Sequence, residues 1–176
     1  MSVTGKDIEI LLKNVNTQKR ICDLPVLNEI DQCAAASLAH QRLDKDKLHP
    51  IRPCRGDIFI ANITTNAGNE LSSPHPVIVI SNNKGNKYTS KVIVVAIEGD
   101  GSKINPAYQM ALSNADLSHG HLDKDPSRII LSEILTIDKT RLTQKIGTVK
   151  PDVLDVITYG ISKQLSIPMR NPREKP

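Results

Sequence analysis

Residues 76–98, PVIVISNNKGNKYTSKVIVVAIE, contain two β-branched apolar runs on either side of a short polar segment. Val and Ile favour strands, and apolar residues at nearly every position are typical of strands that are buried on both faces. The sequence therefore predicts strands at residues 76–81 and 91–98. Asn and Gly in residues 82–86 tolerate positive φ, so this segment is predicted to be a turn.

Further short strands are predicted on both sides of this pair, at Asp57–Ile63, residues 109–113, residues 128–137 and around Thr148. Turn residues separate them, and no strand–helix alternation is visible. Short strands punctuated by turns favour a small antiparallel barrel over a parallel sheet with crossover helices. The predicted fold class is mainly β with helices (α+β).

A helix is predicted at residues 150–167, where Pro151 and Asp152 begin the segment. Pro is favoured in the first turn of a helix, and Asp there complements the helix dipole. Small and apolar residues recur at helical spacing, at Val153, Val156, Ile157, Gly160, Ile161 and Leu165. This stripe predicts a C-terminal helix that packs against the barrel.

The segment before the barrel differs in character from the barrel itself. Residues 6–13 and 25–48 show helical spacing of apolar residues, and Pro50 and Pro53 then impose extended backbone. We therefore divide the chain into a helical N-terminal extension and linker (1–54), the barrel domain (55–167) and a basic, flexible tail (168–176).

Composition excludes several classes of protein. The longest apolar run, residues 92–97, is far below the ~18 residues that cross a bilayer, and no segment is typical of a secretory signal. Three widely spaced Cys residues fit a reducing compartment. We therefore expect a cytoplasmic protein that does not bind membranes.

The charge and aromatic content limit how the chain can bind nucleic acid. Residues 167–176 carry three basic and one acidic residue, which is half of the formal net charge of +4. There is one Phe, three Tyr and no Trp, so a base-stacking platform is not expected. RNA recognition by this chain would depend on hydrogen bonds and phosphate contacts.

Five short motifs succeed one another with almost no gaps over about 110 residues. They are RGDI at 55–58, AGNE at 67–70, PVIVISN at 76–82 with GNKY at 85–88, TIDKTRL at 136–142 and KIG at 145–147. Together they resemble the MazF/PemK (Kid) family of toxin endoribonucleases. The resemblance covers residues 55–167 and leaves the N-terminal extension outside.

The resemblance implies an SH3-like barrel of the MazF/PemK/CcdB type with a C-terminal helix. It also implies a homodimer, a cognate antitoxin that occupies the RNA groove, and a place in a type II toxin–antitoxin module. The implied activity is cleavage of single-stranded mRNA without a metal or another cofactor. In that reaction a 2′-hydroxyl attacks the adjacent phosphate, which requires a base, an acid for the leaving 5′-oxygen and donors for the developing charge.

The chain departs from the family pattern where that chemistry resides. His75 replaces the arginine before the PVIV motif, Glu98 replaces the threonine that ends the third strand, and Leu135 replaces a second arginine. The family's barrel would bring residues 75 and 98 to one pocket. Because His and Glu can divide acid and base roles near neutral pH, His75 and Glu98 are the candidate catalytic residues. Drift in a retired site, or a structural hydrogen bond between them, is the alternative interpretation.

Substrate contacts are expected from eight polar residues: Asn69, Glu70, Ser72, Ser73, Lys84, Lys87, Ser132 and Glu133. The first four lie in the loop that closes over substrate in the family, and the lysines form a basic run. Ordinary solvated loops and turns would have the same composition. His119 and His121 lie in a loop with several Asp residues, but they lack metal-ligand spacing, so no metal site is predicted.

Two functions of different kinds remain open from sequence alone. The first is a toxin endoribonuclease in which His75 and Glu98 supply the chemistry. The second is a catalytically silent relative that binds antitoxin, nucleic acid or a second copy of itself, because the family's Arg and Thr are replaced. A gyrase-binding toxin on the same barrel is a third interpretation.

Overall fold

Seven strands and two α-helices form the part of the chain that the computed structural model describes, namely residues 51–63, 71 and 73–174, with the side chain of Ser73 excepted. The strands are β1 (Asp57–Ile63), β2 (Ser73–Val79), β3 (Lys91–Glu98), β4 (Gln109–Leu112), β5 (Leu117–Gly120), β6 (Ser127–Asp138) and β7 (Leu142–Val149), and the helices are α1 (Asn83–Tyr88) and α2 (Pro151–Gln164). Every pairing is antiparallel, in the order β4-β6-β3-β2-β1-β7-β5. The predicted fold class is confirmed. The predicted helices before residue 51 lie outside the described residues.

The strand predictions are accurate where side-chain pattern alone decides them. Asp57–Ile63 and Lys91–Glu98 agree residue for residue. The second strand begins earlier than predicted, at Ser73, because its ladder with β1 continues as far as the pair Ile63–Ser73. It also ends earlier, since the amides of Ile80 and Ser81 both donate to the Ile93 carbonyl instead of continuing the ladder.

The predicted turn at residues 82–86 is wrong, because this segment enters helix α1. The Asn82 side chain caps the helix by accepting from the Gly85 amide at 2.7 Å. In the described residues positive φ occurs instead at Gly56, Gly120 and Ser166, not at Gly85. Propensity favoured a turn, but a side-chain cap and tertiary contacts stabilise helical backbone here.

The sheet buries apolar residues on both faces. The first core includes Ile58, Ile78, Val95, Ile97, Leu112, Leu117, Leu122, Ile129, Leu131, Val149, Leu154, Ile157 and Ile161. The second core includes Phe59, Ala61, Ile63, Leu71, Val77, Val79, Val92, Val94, Ala96, Ile137 and Leu142, with Ile51 and Leu135 packed against it. Burial on both faces explains why residues 92–97 are continuously apolar.

Helix α2 packs against the first core, as predicted. Ile157 is fully buried, which contributes roughly 1.5–3 kcal/mol, and Leu154 and Ile161 lie beside it. The predicted stripe needs one correction: Leu165 follows the end of the helix and is 55% exposed. None of the described helices is long and apolar enough to cross a membrane.

Strand β6 contains a bulge that matters for the site. Val95 pairs with Ile134, whereas the next residue of β3, Ala96, pairs with Ile130. Residues 131–133 therefore have no paired residue in β3. Leu131 turns into the first core, where it lies close to Gly160 of α2. Bulges bend a strand and re-aim its side chains, and this one sets which residues of β6 lie opposite the end of β3.

Candidate active site

His75, Glu98 and Arg128 lie on three neighbouring strands in the order β2-β3-β6. Val77 pairs with Ala96, and His75 and Glu98 each lie two residues further along their strands. Because side chains alternate with period two, both lie on the face of the second core, at adjacent positions when the register is continued. Glu98 in turn pairs with Arg128. We call His75, Glu98 and Arg128 the cross-strand row.

The Glu98–Arg128 contact is the best-defined interaction of the row. Arg128 Nε donates to Glu98 Oε2 at 2.8 Å, and Arg128 Nη2 donates to the same oxygen. The two side chains are about one third exposed, at 31% for Arg128 and 33% for Glu98. Exposed ion pairs typically contribute only ~0–1 kcal/mol to stability. The pair is therefore accessible to a ligand and adds little to the stability of the fold.

One oxygen of the carboxylate receives both donors. Among the described residues, none donates to Glu98 Oε1 and none accepts from Arg128 Nη1. One carboxylate oxygen and one guanidinium nitrogen therefore have no hydrogen-bond partner within the described residues. This arrangement can accept a proton or hydrogen bond at one atom and donate to an anion at the other.

His75 lies at the other end of the row and is half-buried. Its strand partner in β1 is Ala61, whose small side chain belongs to the second core. The imidazole therefore borders the apolar face that holds Val77. An imidazole at the edge of an apolar surface, near a carboxylate, is suited to proton transfer.

Further charges lie just beyond Glu98. Hydrogen bonds from the Ser102 hydroxyl (2.6 Å) and amide (3.0 Å) hold the pKa of Asp100 below its ordinary value, and the positive charge of Arg128 acts in the same direction. Lys124 lies against Gly99, where an added Cβ would be 2.8 Å from Nζ. This end of the sheet therefore contains charges of both signs.

The other predicted site residues fall into separate groups. Ser132 and Glu133 lie in the β6 bulge, beside Val95 and Ala96, and so two to three residues, or about 7–10 Å, along β3 from Glu98. Ser73 begins β2 opposite Ile63. Asn69, Glu70 and Ser72 lie outside the described residues.

Lys84 and Lys87 are not near the cross-strand row within one chain. Both are exposed on α1, which precedes the Lys91 end of β3, whereas Glu98 is at the opposite end. Seven residues of strand separate the two ends, which corresponds to roughly 23 Å. Lys87 Nζ lies 5.1 Å from the centre of the Tyr88 ring, so this surface offers positive charge and an exposed ring.

Arg128 was absent from the candidate residues that sequence analysis proposed. The sequence does place Arg128 at the start of a predicted strand. In an antiparallel pair, the start of that strand lies near the end of the strand at residues 91–98, and this was the available signal. A regular ladder continued from the Val95–Ile134 pair would instead place Leu131 opposite Glu98. Only the bulge brings Arg128 there.

Comparison with known protein families identifies the class of protein to which this chain belongs. The family model described as "PemK-like, MazF-like toxin of type II toxin-antitoxin system" matches residues 54–165. The chain belongs to this family. The resemblance carried by the motifs is therefore confirmed.

Individual relatives agree with this assignment. The chain is 41% identical over 113 residues to the endoribonuclease MazF of Staphylococcus saprophyticus, an alignment that covers 64% of this chain and 91% of the relative. Among solved structures, an endoribonuclease from mycobacterial species matches with a TM-score of 0.54 at 20% identity, covering 68% of this chain and 97% of that one. A MazE–MazF complex from Deinococcus radiodurans matches with a TM-score of 0.51 at 16% identity, covering 67% and 99%. At these identities the two structures show the shared fold.

Proposed function

We propose that this toxin is an endoribonuclease that cleaves single-stranded RNA in the cytoplasm without a metal ion. Family membership and the 41% identical MazF relative support the activity. The observation that carries the proposal is the cross-strand row, which brings an imidazole, a carboxylate and a guanidinium together on one face of the sheet. Two of these groups occupy the positions at which the family resemblance expects catalytic residues.

In the proposed reaction Glu98 acts as the base and His75 as the acid. Glu98 Oε1 removes the proton from a ribose 2′-hydroxyl, whose oxygen attacks the adjacent phosphorus. The bond from phosphorus to the 5′-oxygen breaks, and protonated His75 gives its proton to that oxygen. The products are a 2′,3′-cyclic phosphate and a 5′-hydroxyl, and no other reactant is consumed.

Substrate binding is proposed to extend beyond the row. Ser132 and Glu133 in the bulge, and Asn69, Glu70, Ser72 and Ser73 before and at the start of β2, are the candidates for contacts next to the cleaved bond. Lys84 and Lys87 would contact more distant phosphates, or acidic residues of a cognate antitoxin. Solved relatives include toxins in complex with an antitoxin, which supports the same kind of partner for this chain.

The test is incubation of the purified full-length protein with mixed-sequence RNA in EDTA, followed by chemical analysis of the new ends. We expect fragments with 2′,3′-cyclic phosphate and 5′-hydroxyl termini. Glu98→Gln and His75→Ala should each lower the rate by about 10²-fold or more, as is typical for loss of a general acid or base. Arg170→Gln, in the tail beyond the matched residues, is the control and should cleave at the wild-type rate.

Two results would contradict the proposal. Intact RNA after long incubation with folded wild-type protein would leave the silent binding function as the better account. Cleavage that survives both Glu98→Gln and His75→Ala would show that the chemistry occurs at another site.

A further inference from the structure

We propose that Arg128 binds the phosphate that is cleaved and replaces the arginines that this chain lacks at position 75, in β2, and at position 135, further along β6. This inference rests on the proposed function. It adds a catalytic residue that neither the motifs nor the family resemblance assigns.

The geometry places the guanidinium beside the proposed base. Arg128 lies directly opposite Glu98 and donates two N–H groups to Oε2 of the proposed base. Residues directly opposite on neighbouring strands have Cβ atoms about 5 Å apart, so Arg128 and His75 flank Glu98 at roughly 10 Å from each other. We expect the ribose and its phosphate to bind over Glu98, between the two outer residues.

The positive charge of the Arg128 guanidinium favours the binding of a phosphate beside Glu98. A lone carboxylate base repels the RNA phosphate that it must approach. The adjacent guanidinium is always charged, and its fork of donors matches phosphate oxygens. Arg128 Nη1, which makes no hydrogen bond within the described residues, can donate to the phosphate while Nε and Nη2 hold Glu98. One side chain would then orient the base and stabilise the charge that develops on the phosphate.

The alternative is a purely structural ion pair. The pair is about one third exposed, and pairs of this kind contribute little to stability. In the described part of the chain, the Arg128 side chain makes hydrogen bonds only to Glu98. A structural anchor would be expected to make further hydrogen bonds. Its strand partner in β4 is Ala111, whose side chain is small.

The test uses full-length protein and a short RNA that contains a cleavage site mapped from the mixed-sequence digest. Arg128→Gln should lower kcat by ~10²- to 10³-fold, the usual effect of losing one transition-state donor, with a change in KM of only a few-fold. Arg128→Lys should recover part of the loss. Added methylguanidinium should restore activity to Arg128→Ala in a saturable manner. Arg170→Gln is the matched control, with wild-type kcat expected.

Folding is separated from chemistry by measuring the melting temperature and near-ultraviolet circular dichroism of each variant. A kcat of Arg128→Gln within threefold of wild type would overturn the inference. So would a loss that the unfolded fraction explains completely, or one that methylguanidinium does not relieve.

Failure of the proposed function can be told apart from failure of this inference. If the wild-type protein does not cleave RNA, the proposed function fails. Arg128 is then tested by the binding of a short RNA of mixed composition with a 2′-deoxy group at its central nucleotide. Loss of one phosphate contact should weaken binding and reduce the slope of log affinity against log salt by about one. An unchanged slope in Arg128→Gln would overturn the inference by itself.

Discussion

Lys139 is an almost completely buried lysine, with 1% of its surface exposed. Its Nζ donates to the Asn86 carbonyl at the end of α1. The Asn86 side chain is held in turn by Ser81. Ser81 Oγ donates to Asn86 Oδ1 at 2.5 Å, and the Ser81 backbone carbonyl accepts from Asn86 Nδ2 at 3.1 Å. Lys139 therefore joins the connection between β6 and β7 to α1.

Burial lowers the pKa of Lys139 below its usual value of 10.5, and the nearby Asp138 charge opposes the shift. The unfolded chain therefore binds more protons than the folded chain between the folded pKa and 10.5. Across that window the free energy of unfolding should rise with pH through this group, and below it the full cost of burying the charge remains. Urea unfolding of wild type and Lys139→Met at a series of alkaline pH values should show this rise in wild type only. Parallel curves for the two proteins would contradict the prediction.

Strand β6 and helix α2 together determine the composition of the cross-strand row. Leu131 lies in the bulge of β6 and packs in the first core, where a Cβ on Gly160 would come within 2.9 Å of Leu131 Cδ1. A side chain at this helix position would press on Leu131, which would have to shift. The helix thereby holds the bulge that puts Arg128 opposite Glu98.

We predict that Gly160→Val destabilises the protein by about 1–3 kcal/mol, because a branched side chain would be forced against buried Leu131. It should also reduce RNA cleavage by the folded fraction, since a displaced bulge moves Arg128 away from Glu98. Lys163→Val is the control, because it puts the same residue on an exposed position of α2 and should cost less than about 1 kcal/mol. Equal effects of the two variants in urea unfolding and in cleavage would count against this link.

Part of strand β6 forms an open edge of the sheet in the described part of the chain. Strand β4 pairs with Ser127–Ile130, and the Leu131 amide donates to the Tyr108 carbonyl just before β4, so residues 132–138 have no strand partner on that side among the described residues. Leu131 is buried in the first core, whereas Ile134 and Leu135 are half-buried. Uncovered edges favour pairing with another chain.

We predict a homodimer that uses this uncovered half of β6. Thr136→Lys, at an exposed position on it, should shift the protein towards monomer, because charged residues on an edge oppose pairing. Ser118→Lys, on the exposed face of the end strand β5, is the control and should remain dimeric. Analytical ultracentrifugation across micromolar concentrations gives the answer, and a single 19.3 kDa species for wild type would contradict the prediction.

The end of the N-terminal extension contacts the sheet. Ile51 packs against the second core, on the face of the sheet that carries His75 and Glu98, and Pro53 is buried. The amphipathic pattern predicted for residues 1–50 needs a surface to cover. We predict that these residues dock over the RNA-binding surface. Their deletion should then tighten binding of single-stranded RNA in a filter assay at matched salt. Equal affinity of the truncated and full-length proteins would show that the extension does not act as a plug.

Local sequence pattern is sufficient to predict the main strands and the C-terminal helix. Strands at Asp57–Ile63 and Lys91–Glu98, and a helix that begins at Pro151, result from side-chain period, β-branching and helix-start residues, all of which act over a few neighbouring positions. The motifs also identified the family. His75 and Glu98 could be proposed as a pair only because the family's barrel was known.

The local conformation of residues 82–86 and the strand partner of Glu98 depend on tertiary contacts. Helix α1 replaces the predicted turn where Lys139, 53 residues away, reaches the Asn86 carbonyl. Arg128 rather than Leu131 lies opposite Glu98 because residues 131–133 of β6 form a bulge, and Leu131 of this bulge packs against Gly160 of α2. Such contacts depend on register and packing between distant segments, and the pattern of any one segment does not contain them.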